Sequence, residues 1–477
     1  MYRIESLLSA RLFQVPQIVG ERIFFVSNLS GKLSLYAMNY GGSIPEPLLP
    51  PNIAMQNPHL VDGMSFIVFP EIEKILVMLD QDGDENYQPM LIPINGGFPE
   101  PYLPDLFKDA RVHCFGFDID ANTIYFNAES RLEPVQTSYQ VNLKTGAVVE
   151  LGRGMYGMYP VAFTDDHKQV ILADSYSVGD LTLYMSLAGS GKKKLVYGIP
   201  MEERMEGQTV SLSGITSAQF VRDGRGLLMT CALFEDTYGL ALLDLEKAGD
   251  ITPIKIAGVL HSGVGELEDL AHLHDQVFLL RYNIDGCSWL YEGEFDDKQN
   301  VMRLLHVICG QADLKDGVLD SAFYDKAGDR FVLSFSTAVS PTQIYTVEGK
   351  ARTKVVRHTQ ERVLGIDEKL LSGGEDASFI SFDGIHISAR LYMPAKELGF
   401  IGARPLVYYV HGGPQGQERP DFAWFSMPLI QFLTLNGFAV FVPNVRGSTG
   451  YGLNYTKQVD HDWGGRDRLA ADPAHGT

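Results

Sequence analysis

A weak repeat runs through the first three quarters of the chain and limits the fold more than any other feature. Alternating strands recur as "LSLYAMNYGG", "YQPMLIPINGG", "TSYQVNLKTG", "LTLYMSLAGSG", "GLALLDLEKAG", "SWLYEGEF" and "TQIYTVEGK". Anchored on Tyr36, Met90, Tyr139, Tyr184, Leu242, Tyr291 and Tyr345, they step by 54, 49, 45, 58, 49 and 54 residues. One hairpin length upstream lie β-branched and aromatic segments such as "GERIFFVSN", "NTIYFNAES" and "DRFVLSFST", bracketed by Asp, Asn or Gly. A four-stranded propeller blade takes roughly 40–50 residues, whereas units of a tandem β-sandwich array would repeat near every 100 or so. The spacing therefore predicts an all-β propeller of seven blades over residues 15–360. Its ring is expected to close by pairing strands from its two ends.

The flanks read differently. In residues 1–14 the spacing of Ile4, Leu7, Leu8 and Leu12 predicts a short amphipathic helix. Residues 361–376 are polar and contain glycine, as a linker would. From residue 377 the pattern becomes strand, loop, helix, strand. "FISFDGIHISARLYMP" is a hairpin turning at Asp383-Gly384, "PLVYYV" and "FAVFVP" are buried strands, and "FSMPLIQFLTLNG" is a helix stopped at Gly437. That is the crossover unit of an α/β sheet.

Charge and cysteine usage narrow the partners. A net charge of −20 gives no basic footprint for nucleic acid or an anionic membrane. No run of 18 apolar residues occurs, and Glu5 and Arg11 interrupt the N-terminal apolar stretch. Neither a transmembrane helix nor a signal peptide is expected. Cys114, Cys231, Cys287 and Cys309 are scattered without a C-x-x-C pair, which predicts free buried thiols in a reducing cytoplasm and no zinc site. "LDQDGDENYQP" imitates a calcium loop, but its twelfth position is Leu91 and strands flank it; "GSGKKK" lacks the spacing of a phosphate loop. Both are read as turns.

Two motifs carry the chemistry. "HGGPQGQ" (His411 to Gln417) follows "PLVYYV", and "NVRGSTGYG" (Asn444 to Gly452) follows "FAVFVP". Open α/β sheets place their sites at such carboxyl ends of strands. Gly412 and Gly413 leave room for a backbone N–H to meet a substrate carbonyl, as an oxyanion-hole loop must. His411 is tempting as a catalytic base. Arg446 is expected to be a buried guanidinium tying neighbouring groups together. Gly447, Gly450 and Gly452 permit tight turns, and Tyr451 and Trp463 are expected to pack.

With "DWGGRDRL" downstream, these motifs resemble the start of the catalytic domain in the prolyl oligopeptidase family of serine peptidases, in its acylaminoacyl- and dipeptidyl-peptidase branch. That family joins an N-terminal propeller to a C-terminal α/β-hydrolase domain. The resemblance implies peptide hydrolysis through an acyl-enzyme, an oligopeptide substrate, and no metal or other cofactor. It also implies a site supported by His411, Pro414, Gln417, Asn444, Arg446, Gly447, Tyr451 and Gly452 around Gly412 and Gly413. The hydrolase nucleophile belongs in G-x-S-x-G, with Asp or Glu and then His following. No G-x-S-x-G occurs in the 477 residues. Residues 377–477 are therefore expected to be the N-terminal part of a hydrolase domain truncated before its nucleophile elbow, with no triad member present. The competing readings are a propeller that binds peptides or proteins without catalysis, and half of a split peptidase completed by another chain.

Overall fold

The computed structural model describes residues 2–247, 249–413, 415–423 and 426–471. Seven antiparallel four-stranded meanders follow one another, at residues 13–47, 66–101, 110–154, 157–197, 217–257, 265–309 and 317–357. All seven anchor residues fall in the third strand of a blade, Tyr36 in Ser34–Asn39 and Tyr345 in Gln343–Glu348 among them. Each third strand is hydrogen-bonded on both sides within its blade and buries apolar side chains, Leu35 to Met38 without a break in blade 1. First strands pack on one another between blades 1 and 2, 3 and 4, 4 and 5, 5 and 6, and 7 and 1.

Ring closure departs from the expectation. Blades 1 and 7 are each contiguous in sequence, and no strand is shared between them. Side chains make the joint instead. Phe13, Ile18, Ile23, Phe25, Tyr36 and Met38 of blade 1 bury Val332 and Ile344 of blade 7. Polar bonds reinforce it: Tyr40 Oη donates to Glu348 at 2.5 Å, and Gly41 N to His358 Nδ1 at 3.0 Å. Blades 5 and 6 are joined more firmly, because their outer strands pair in parallel and form one eight-stranded sheet.

The second unit is an α/β sheet. Its strands are β1 (Glu375–Asp376), β2 (Ala389–Tyr392), β3 (Leu406–Tyr408) and β4 (Ala439–Pro443), in the order β1-β2-β4-β3. β3 and β4 are parallel, with Val407 opposite Val440, and the helix Ser426–Leu435 crosses between them. That helix buries Met427, Ile430 and Leu435, and Gly437 follows at φ 91°, the left-handed stop that the sequence predicts. The hairpin at Asp383-Gly384 forms as expected, with Phe379 opposite Ile387.

The flanks are more integrated than their composition indicates. The N-terminal helix spans only Ile4–Leu8; Leu7 is buried while Leu8 is 56% exposed. Leu7 and Ala10 join the core of the α/β unit with Tyr392, Met427, Ile430 and Val440. Val363, Ile366 and Leu371, in the polar stretch after the propeller, are buried in the same core. Asp84 accepts from Gln81 N and Asn86 N, so the Asp80–Asn86 loop closes on itself as a turn. Cys114, Cys231 and Cys309 are buried and Cys287 half-buried, all as free thiols. Among the described residues no helix is long and apolar enough to cross a membrane.

Candidate functional site

β3 and β4 end side by side, and the two motifs leave them as adjacent loops. Gly412 and Gly413 are exposed at the tip of the first loop. A Cβ on Gly412 would meet nothing within 4 Å, so its face is open to an approaching group. Gly413 has φ 128°, and a Cβ there would sit 2.9 Å from Gln415 N. Only glycine takes that bend without strain. Pro414 lies outside the described residues.

His411 holds this loop to the second one. Its Nδ1 lies 2.9 Å from Gly412 O, and its Nε2 lies 2.9 Å from Ser448 Oγ. Nδ1–H donates to the Gly412 carbonyl, and Nε2 faces the Ser448 hydroxyl, whose single proton lies between Nε2 and the Val445 carbonyl. Burial lowers the His411 pKa, against the pull of the Gly412 hydrogen bond. Ser448 is fully buried, with Oγ also 2.6 Å from Val445 O. Among the described residues no carboxylate pairs with His411, so the geometry is that of a loop brace. Nothing in the local sequence around Ser448 marks this role.

Arg446 is the largest fully buried side chain. Its Nη2 donates to Asp383 and, at 3.2 Å, to Ser381 Oγ, and its guanidinium lies 5.3 Å over the Phe382 ring. It thus anchors the hairpin tip beneath the second loop. Asn444 Nδ2 donates to Tyr451 Oη at 2.9 Å, and Gln417 Nε2 donates to the same oxygen at 2.9 Å. Asn444 Oδ1 also accepts from Glu418 N at 2.8 Å. Gly447, fully enclosed at φ 94°, donates its N–H to Tyr455 O at 3.1 Å. Tyr451 is therefore the polar hub between the loops, packed 5.2 Å from the Tyr455 ring. Trp463 differs from the expectation of packing: it is 63% exposed.

The propeller reaches into this assembly. Glu266 of blade 6 accepts from Gly450 N at 3.0 Å and from Gly452 N at 2.8 Å. Asp236, in the loop between two strands of blade 5, accepts from Leu453 N through its carbonyl at 3.0 Å and from Asn454 N through Oδ1 at 2.9 Å. Gly452 has φ 96°, and a Cβ there would fall 2.5 Å from Asp236 Oδ2. Asn283 Nδ2 donates to Gln417 Oε1 at 2.6 Å, and Arg419 donates to Gly286 O and Ser288 Oγ, both at 2.9 Å. Burial raises the Glu266 pKa over the opposing effect of the two N–H bonds, and the charges of Glu268 and Asp236 add to the rise. Sequence reading found none of these propeller residues, because they sit in ordinary strands and turns.

Comparison with known proteins agrees with this layout. Residues 423–469 match the prolyl oligopeptidase family. The chain is 32% identical over 155 residues to a probable dipeptidyl-peptidase 5 of Emericella nidulans, covering 32% of this chain and 21% of the relative. It is 28% identical over 137 residues to the peptidase YuxL of Bacillus subtilis, covering 29% and 20%. The matched stretches thus span about a fifth of these relatives' own length. In fold, a puromycin-hydrolyzing peptidase of Mycobacterium tuberculosis superposes with a TM-score of 0.75 at 16% identity, over 98% of this chain and 72% of that one. The acylaminoacyl peptidase of Pyrococcus horikoshii gives 0.63 at 13%, over 100% and 71%. The chain is similar to the prolyl oligopeptidase family in the sequence of its α/β segment and in its propeller–hydrolase fold.

Proposed function

We propose that the chain is the propeller and the leading hydrolase strands of a serine peptidase that cleaves short peptides through an acyl-enzyme. One observation carries the reading: the loop bearing Gly412 and Gly413 leaves β3 exposed and open on one side, and it is braced from beneath by His411 and Ser448. An acyl-transfer site needs fixed backbone donors where the oxyanion develops, and removing one such donor costs about 3 kcal/mol of transition-state stabilisation. Gly412 and Gly413 are the donors' loop. Gln417, Asn444, Arg446, Gly447, Tyr451 and Gly452 hold it, and residues 15–360 recognise or gate the peptide. The relatives named as peptidases support this chemistry. None of the 477 residues falls in a G-x-S-x-G nucleophile motif.

The test uses the 477-residue chain, dipeptidyl and acylaminoacyl amides carrying a chromogenic leaving group, and a fluorophosphonate probe. The expected result is peptide binding without turnover or serine labelling, with binding weakened several-fold by Gly413→Val. Stoichiometric labelling of any serine would overturn the assignment of roles. Binding that ignores Gly413→Val, yet falls on substitution inside the propeller, would favour a non-catalytic peptide-binding propeller.

A further inference from the structure

The glycines of "NVRGSTGYG" meet the propeller. A Cβ on Gly450 would fall 2.8 Å from Gln417 Nε2 and 2.9 Å from Asn283 Nδ2 of blade 6, and one on Gly452 would strike Asp236 of blade 5. Their N–H groups both end on the Glu266 carboxylate. Burying that carboxylate beside Glu268 and Asp236 is unfavourable in itself, as the direction of its pKa shift records. Tyr238, whose own pKa is raised chiefly by burial and then by Glu266 and Asp236, adds no positive charge. The nearby cations Arg281 and Arg419 pair with Glu268, at 3.3 and 3.4 Å. Glu266 is thus left to two backbone donors of the other unit.

We propose that Glu266 is a positioning residue of the hydrolase-side site. It fixes the backbone of Gly450 to Gly452 and, through the loop contacts, the segment that carries Gly412 and Gly413. The transmission path is short. Thr449 N donates to Gly416 O at 2.9 Å, one residue before the fixed glycine. Gln417 bridges Asn283 of the propeller to Tyr451, and Tyr451 is bonded in turn by Asn444, which holds Glu418 N. Blade 6 therefore sets the second loop through Glu266 and the first through Asn283, and the two routes meet at Gln417 and Tyr451. Blades 5 and 6, joined as one sheet, are a stiff base for this. The inference rests on the reading of Gly412 and Gly413 as the donor loop, but its test needs no turnover.

Amide hydrogen exchange on the whole chain decides it. Glu266→Gln keeps the shape and removes one strong acceptor. Exchange over residues 449–454 should rise about tenfold or more, the effect of losing a charged acceptor. Exchange over 411–418 should rise with it, while the strands of blades 1–4 stay as they were. Combined with Gln417→Ala, the effect of Glu266→Gln on 411–418 should be smaller than the sum of the two single changes, because both act on the same loop. A rise confined to 449–454, or no rise at all, overturns the proposal. If Glu266→Gln does not fold, Glu266→Asp serves instead, since it keeps the charge and draws the carboxylate back from Gly450 N and Gly452 N. It should loosen 449–454 and 411–418 together, and protection unchanged at either again overturns the proposal.

Discussion

Glu418 shows how a single side chain in the loop responds to its surroundings. It is 4% exposed, with one carboxyl oxygen bonded by Ser426 Oγ. Burial pushes its pKa up, the Ser426 bond pulls it down, the charge of Asp421 raises it further, and the outcome is about 7 against an ordinary 4.5. Between those two values the folded chain keeps a proton that the unfolded chain has released. Stability therefore falls as pH rises from 4.5 to about 7, by roughly 3 kcal/mol in all. Glu418→Gln mimics the protonated form and should remove that fall. Urea denaturation at a series of pH values should find the variant roughly 3 kcal/mol more stable than the native chain at pH 8, and equal to it near pH 4. A pH-independent difference would show that the carboxyl is ionised throughout.

At the scale of the elements, the hairpin 379–387 is too short to stand alone. Its strands, Phe379–Ile380 and His386–Ile387, are two residues each. What keeps it in place is Arg446 from the loop after β4, bonded to Ser381 and Asp383 at the tip. Removing the carboxylate leaves a buried guanidinium without its counter-charge, which costs about 3 kcal/mol. Asp383→Ala should therefore lower stability by about that amount, and limited proteolysis should cut first within 379–387. Asp383→Asn, which can still accept a hydrogen bond, should recover part of the loss. A variant as resistant as the native chain would mean that Ser381 and the Phe382 ring suffice.

Over the molecule as a whole, the joint between blades 7 and 1 is the point where the ring depends on side chains. His59, just before blade 2, reaches past blade 1 to Asp320 of blade 7 at 2.9 Å. Asp320 also accepts from Ser334 Oγ at 2.7 Å and from Val15 N at 3.5 Å. Val15 has φ 44°, a strained value for a β-branched residue, at a break in the register of the first strand. Burial lowers the His59 pKa, but the Asp320 bond and charge, with the charge of Asp421, carry it up to about 9. The contribution of the pair is then full below pH 6.5 and is lost as pH rises through about 9. His59→Gln should cost roughly 2–3 kcal/mol at pH 6, and the gap to the native chain should close as pH approaches 10 or so. Denaturation midpoints across that range check it; a constant gap would reduce the pair to packing.

The propeller was readable from residue order because its information is local and repeated. Short β-branched and aromatic strands recur, turns carry Asp, Asn or Gly, and seven copies reinforce one another, so Tyr36, Met90 and Tyr345 mark equivalent strands from sequence alone. The crossover unit and its glycine stop were legible for the same reason. Of the site, the loops and Arg446 could be read from motif and position. What pairs across long separations could not be. Nothing in the order of residues indicates that Leu7 belongs to the core around Met427, or that apolar side chains rather than a shared strand close the ring. The same holds for Ser448 bracing His411 and for Glu266 meeting Gly452, 186 residues on. Each of those contacts depends on where segments far apart in sequence come to rest. A hydrogen bond between them leaves no periodic trace in either segment.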